Sequence, residues 1–140
     1  MMKRSTILFF LLFTELFSAS NNIYHDDIYT KNIVGIWSTN FESEDRRLYA
    51  ETLFKNDGTS EGKGEICQNN QCENIHFTAK WYIRNNILVS TIITSNMKDR
   101  LSIGSQQKDR IISLNSIKLT LHSESGRKLV KNKVLESKFF

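Results

Sequence analysis

The segment Asn74–Arg84 alternates between apolar and polar or amphipathic side chains along its whole length. Because successive side chains of a strand point to opposite faces, this period of two predicts a strand with one buried and one solvated face. The same alternation recurs over Arg47–Lys55 and Ile117–His122. Strands with one wet face are typical of antiparallel sheets, since parallel sheets are covered on both sides. The chain is therefore expected to be all-β.

Eight such strands follow one another, separated by Asn, Asp, Gly and Ser clusters that favour tight turns. The turn signals include Asn56–Thr59, Asn85-Asn86 and Ser125-Gly126. The predicted strands span residues 33–41, 46–55, 59–67, 72–84, 86–95, 108–114, 116–123 and 127–135. An up-and-down meander of this size removes its exposed edges by closing, so we predict a small barrel over residues 33–135, with a sandwich as the alternative. Residues 136–140 form a C-terminal tail.

The N-terminus has the layout of a secretory signal peptide. Lys3 and Arg4 precede an apolar run over residues 7–13, and Ser18-Ala19-Ser20 supplies small residues for cleavage. Glu15 interrupts the run well short of a membrane-spanning length. We therefore predict a signal over residues 1–20 and export to the periplasm or medium, with no membrane-spanning segment after its removal. About 120 residues remain, enough for one small domain, and it begins with a polar arm over residues 21–32.

Two cysteines, Cys67 and Cys72, enclose four polar residues. Two thiols alone rarely make a structural zinc site, and an exported protein meets an oxidising compartment. If the enclosed residues form a hairpin loop, the cysteines face each other across paired strands. A disulfide that pins the register of this hairpin is therefore predicted.

The net charge of +4 is mild, and its basic residues collect late in the chain. This late basic group is interpreted as a solvated strand edge, with contact to an anionic surface as the alternative. It contains Arg127, Lys128, Lys131, Lys133 and Lys138. No nucleic-acid-binding motif accompanies it, so no nucleic-acid partner is expected.

No residue pattern predicts catalysis, a metal or another cofactor. Gly62-Lys63-Gly64 lacks the flanking pattern of a phosphate loop. His25-Asp26-Asp27 offers metal-ligand types, but they stand next to one another on a polar arm, so a solvated acidic stretch is the interpretation. His76 and His122 fall on outward faces of their predicted strands. The chain is therefore predicted not to be an enzyme.

A family resemblance emerges from four motifs taken in order. These are Gly35-Ile36-Trp37 on the first strand, Phe54–Thr59 at the first hairpin, Trp81-Tyr82-Ile83 on the fourth strand and Leu119-Thr120-Leu121 near the end. Together they resemble the small bacterial lipocalin-like (calycin-type) secreted proteins over roughly residues 33–124. The resemblance implies an antiparallel barrel with the tryptophan across its floor and, in some members, a small apolar molecule inside. Lipocalins proper also stack a late arginine on this tryptophan, and neither Arg110 nor Arg127 stands in such a context.

Six side chains on the apolar faces are expected to converge inside the barrel. They are Trp37, Phe54, Phe77, Trp81, Leu119 and Leu121. They can line a pocket or fill a core, and Ser60, Gly62 and Gly64 on the third strand favour some room.

The leading hypothesis for function is an exported barrel that binds a small apolar or amphipathic molecule in its interior. The alternative is a filled barrel that binds another protein, as an inhibitor or envelope-assembly factor does. Its contacts would come from loops or from outward aromatic residues such as Tyr49, Tyr82, Phe139 and Phe140, because aromatic anchors dominate interfaces.

Overall fold

A computed structural model describes residues 25–140, which form a short helix and a closed eight-stranded barrel. The helix covers residues 25–33. The strands are β1 (Gly35–Glu42), β2 (Arg46–Phe54), β3 (Thr59–Gln68), β4 (Gln71–Arg84), β5 (Ile87–Ser95), β6 (Gln106–Leu114), β7 (Lys118–Ser123) and β8 (Lys128–Lys133). All eight predicted strands and their up-and-down order are confirmed. The predicted signal over residues 1–20 lies outside the described residues.

Each strand pairs antiparallel with the next, and β8 closes the barrel against β1. This closing seam pairs Trp37 with Lys133 and Ser38 with Asn132. One end of the barrel carries the helix and the connections 55–58, 85–86 and 115–117, and we call it the closed end. The other, the open end, carries connections 43–45, 69–70, 96–105 and 124–127.

A single buried cluster fills the closed end. Its members are Ile33, Trp37, Phe54, Trp81, Leu88, Ile111, Leu119 and Leu121. The two indoles are fully satisfied: Trp37 Nε1 donates to the Ile33 carbonyl at 2.7 Å, and Trp81 Nε1 donates to the Thr59 carbonyl at 2.9 Å. Large aromatic side chains can therefore be buried there without an unpaired polar atom.

The segment before β1 differs from the sequence-based expectation, because residues 25–33 are helical although their sequence shows no sustained helical period. Tertiary contacts hold this helix against the closed end. The backbone N–H groups of Asn85 and Asn86 donate to the two carboxylate oxygens of Asp26 at 2.7 and 2.8 Å. Asp26 is thus a structural anchor for the β4–β5 turn rather than part of a solvated acidic stretch.

The predicted disulfide is present between Cys67 and Cys72, which pair directly across β3 and β4. Two-residue turns at Asn69-Asn70 and Asn85-Asn86 place all four asparagines at positive φ, as tight hairpins require. Among residues 25–140, no helix combines the length and apolar character needed to cross a membrane.

The C-terminal tail, residues 136–140, lies on the outer face of β2 and β3. Glu51 points outward from β2, yet it is completely buried beneath the C-terminal tail. Its carboxylate accepts hydrogen bonds from the Ser137 hydroxyl, from the Lys138 backbone N–H at 3.1 Å and from the Tyr49 hydroxyl at 2.7 Å. Alternation alone predicts a solvated Glu51, and that prediction was wrong because the tail supplies a second layer.

Candidate binding site at the open end

Five of the six predicted interior residues belong to the closed-end cluster, where they pack on one another. The rings of Phe54 and Trp81 meet edge to face with centroids 5.5 Å apart. Phe77, the sixth, is half-buried and faces Gly62 across β3 and β4. Its ring occupies the position that a Cβ on Gly62 would take, so this glycine accommodates an aromatic ring rather than leaving open space.

Lys133 packs against the Gly35-Ile36-Trp37 segment. The Lys133 ammonium lies 4.6 Å from the centroid of the Trp37 ring and donates to the Val34 carbonyl at 2.8 Å. Gly35 adopts a φ of 125°, and a Cβ there would overlap Lys133 Nζ. The contact between Lys133 and Trp37 has cation–π geometry, and Gly35 is needed for a backbone conformation that other residues rarely adopt.

Farther toward the open end, strand register places two charged side chains inside the barrel. Asp109 lies two residues before Ile111, and Lys131 pairs with Leu119. Because Ile111 and Leu119 are both buried in the core, residues on the same faces of β6 and β8 also point inward. Lys131 and Asp109 are therefore interior groups.

Burial perturbs both of these groups. Loss of hydration lowers the pKa of Lys131 to about 8, and attraction to Asp109 opposes this change only in part. Burial raises the pKa of the Asp109 carboxyl, with Lys131 acting against the rise and Glu124 adding to it. The Lys131 ammonium donates to Thr39 Oγ1 at 2.6 Å across the β1–β8 seam. Perturbed titratable groups beside a cleft are candidates for function.

A cavity of about 440 Å³ opens beside Asp109. Its inward-facing lining comes from Gln107, Asp109, Ser123 and Leu129. Lys131 lies one inward position deeper than Leu129 on β8. The opposite inner wall is apolar, with Ile66, Ile75 and Ile92 all buried. We call the cavity, together with the inward groups Asp109 and Lys131, the open-end site.

The late basic residues do not form a single solvated edge. Lys131 and Lys133 turn inward and contact Thr39 and Trp37, whereas Arg127 and Lys128 are exposed. The interpretation of this group as one solvated strand edge was therefore wrong for these two lysines. The available signal was their spacing from Leu129, because Leu129, Lys131 and Lys133 follow the same period of two.

Three of the four aromatic residues proposed for a protein-binding surface belong to the docked tail or to its contact on β2. Tyr49 and Phe139 contact each other, with ring centroids 6.0 Å apart, and Lys138 Nζ lies 4.5 Å from the Tyr49 centroid. Phe140 is covered in part by Lys63, while Tyr82 on β4 is 52% exposed. The tail thus uses Tyr49 as its own docking contact.

The two histidines of the predicted strands are exposed outward groups, as predicted. His76 is exposed and its Nε2 lies 3.1 Å from Glu61, which also contacts Lys63 at 3.2 Å. His122 is exposed on β7, and Glu42, Glu44 and Asp45 are exposed around the β1–β2 connection. None of these groups contributes to the open-end site.

The lowered pKa of Lys131 predicts that the free energy of unfolding depends on pH. Its pKa is about 8 in the folded chain and about 10.5 when unfolded, so the unfolded state binds more protons between these values. Relative to Lys131→Met, the wild-type protein should therefore gain up to about 3 kcal/mol of unfolding free energy as pH rises through this window. Urea unfolding from pH 7 to pH 10.5 measures this difference. Lys128→Met is the control, because Lys128 is exposed on the same strand. The difference in unfolding free energy between wild type and Lys128→Met should stay constant over this pH range. The same pH dependence of this difference for both variants would contradict the burial of Lys131.

No protein-family model matches the chain, and a search of curated proteins found no match. We therefore base the function on the barrel and on the chemistry of its open-end site.

Proposed function

We propose that this protein is an exported, lipocalin-like binding protein that takes up a small amphipathic molecule through the open end of its barrel. The observation that carries the proposal is the pair of inward charges, Lys131 and Asp109, beside a cavity of about 440 Å³. Burying charged groups costs free energy, and packed apolar residues commonly serve stability as well or better. A binding role explains why this part of the interior is polar.

The division of the interior supports an amphipathic ligand rather than a purely apolar one. The closed half is filled by the aromatic and aliphatic cluster around Trp37. In the open half, Gln107, Asp109 and Ser123 supply polar atoms to the cavity lining, and Leu129 is its aliphatic member. A polar lining that contains one aliphatic side chain favours a ligand with a polar head, which the polar groups orient.

Native mass spectrometry of the mature protein, purified from the periplasm or medium without detergent, tests this function. We expect an additional mass that dissociates on denaturation. Ser123→Trp should abolish it, because Ser123 lines the cavity and an indole there would occupy the space. His122→Trp is the matched control, since His122 is the adjacent residue of β7 on the outward face.

Two results would contradict the binding role. One is an adduct that survives Ser123→Trp as well as the control substitution, because the ligand would then bind elsewhere. The other is a clean apo mass that stays unchanged after incubation with a total lipid extract. That second result would favour the alternative function, a filled barrel that binds a protein partner through its loops or outer face.

A further inference from the structure

The two interior charges of the open-end site have opposite signs but do not contact each other. No carboxylate oxygen within residues 25–140 lies within 4.0 Å of Lys131 Nζ. The hydrogen bond of the Lys131 ammonium goes to the neutral Thr39 hydroxyl at 2.6 Å. Asp109 acts on Lys131 through space, as the charged group that raises its pKa against the effect of burial.

This separation is unusual for two half-buried charges that face the inside of a barrel. Buried ions are normally paired directly, because contact and hydrogen bonding repay part of the lost hydration. Here the ammonium and the carboxylate each keep unused capacity to bind an opposite charge. A molecule placed between them with a negative group toward Lys131 and a positive group toward Asp109 would satisfy both at once.

The cavity lining does not favour either sign of charge by itself. Its positively charged members are Lys108 and Arg127, and its negatively charged members are Asp109 and Glu124. Their charges cancel, so the net charge of the whole lining does not select an anion over a cation. Selection then depends on the deeper Lys131 and on Asp109.

We propose that the open-end site selects amphipathic molecules with a zwitterionic head, the anionic part bound by Lys131 and the cationic part by Asp109. This inference rests on the proposed binding function and names its ligand class. The apolar part of the ligand contacts Leu129, the aliphatic residue of the cavity lining.

Three probes with the same eight-carbon chain and different heads test the selection. They are octylphosphocholine, which is zwitterionic, octanoate, which is anionic, and octyltrimethylammonium, which is cationic. Isothermal titration calorimetry of the mature protein at pH 7, below the micelle-forming concentrations, gives the three affinities. We expect the zwitterion to bind about tenfold more tightly than either singly charged probe, the effect of one additional charge-assisted contact.

Two charge-removing variants assign each half of the head to a residue. Lys131→Gln should weaken octylphosphocholine about tenfold and leave octyltrimethylammonium as the preferred singly charged probe. Asp109→Asn should have the same effect on the zwitterion and favour octanoate instead. Lys128→Gln removes an exposed charge of β8 that does not line the cavity, and it should leave the order of the three probes unchanged.

The outcomes separate this inference from the proposed function. Octanoate or octyltrimethylammonium binding as tightly as the zwitterion overturns the zwitterion selection and leaves the binding function standing. Variants that keep the wild-type order of affinities overturn the assignment of Lys131 and Asp109. Absence of binding by all three probes, together with a clean apo mass in the native spectrum, overturns both. The wild-type order alone decides the selection if a variant does not fold.

Discussion

Replacing Gly64 with alanine is expected to destabilise the barrel by about 3 kcal/mol, because overpacking against rigid atoms leaves little room for relaxation. Gly64 pairs with Ala50 across β2 and β3. A Cβ at Gly64 would lie 2.7 Å from Ala50 Cα and would overlap the Tyr49 carbonyl oxygen. These are backbone atoms of a paired strand, so the collision forces the two strands apart.

Gly104→Ala is the matched control for this substitution. No atom lies within 4 Å of a Cβ built at Gly104, but its φ of 82° is unfavourable for alanine. The control should therefore lose about 1 kcal/mol through backbone conformation alone. Urea unfolding of both variants measures the difference. Equal losses would show that β2 and β3 can separate freely at Gly64, contrary to the close strand approach described above.

Replacing Glu51 with alanine is expected to release the C-terminal tail and to lower the free energy of unfolding by about 3 kcal/mol. The substitution leaves the Ser137 hydroxyl, the Lys138 N–H and the Tyr49 hydroxyl without their common acceptor. Hydrogen exchange at the Lys138 amide reports release directly, and urea unfolding gives the loss of stability. Glu61→Ala is the control, because its contacts with Lys63 and His76 are on the partly exposed outer face and such pairs contribute at most about 1 kcal/mol.

The Glu51 effect should also depend on pH with a defined sign. Burial tends to raise the pKa of this carboxyl, but the hydrogen bonds from Ser137, Lys138 and Tyr49 outweigh it and hold the pKa below the ordinary value of 4.5. The stabilisation is therefore fully present above pH 4.5 and is lost as the pH falls through the lowered pKa. The gap between wild type and Glu51→Ala should narrow in acid. A gap that stays constant down to pH 2 would contradict a role for the ionised carboxylate.

The pKa of Tyr49, which donates to the Glu51 carboxylate, shifts in the opposite direction from that of Glu51. Burial, the hydrogen bond to Glu51 and the negative charge of Glu51 together raise the pKa of Tyr49 to about 12. The Tyr49 hydroxyl therefore stays protonated and keeps donating to Glu51 throughout the physiological range. The tail, Glu51 and Tyr49 thus form one hydrogen-bonded unit on the outside of the barrel, separate from the open-end site inside it.

Much of the architecture was predictable because it depends on short-range physics. A period of two between apolar and polar residues determines which face of a strand is buried, and the asparagine pairs at 69–70 and 85–86 adopt the positive φ of tight turns. The disulfide followed from the hairpin that places Cys67 opposite Cys72. The interior positions of Trp37, Phe54 and Trp81 followed from the same alternation.

The sequence by itself determined the strands, their order, the turns and the side chains of the closed-end core. The helix over residues 25–33, the burial of Glu51 under the tail and the contact of Lys131 with Thr39 were decided by the tertiary structure. The physical reason is sequence distance. Thr39 and Lys131 become neighbours when β8 closes on β1. Glu51 is shielded from solvent when residues more than eighty positions later in the chain fold over it. Local periodicity carries no information about such contacts, and the open-end site is built from them.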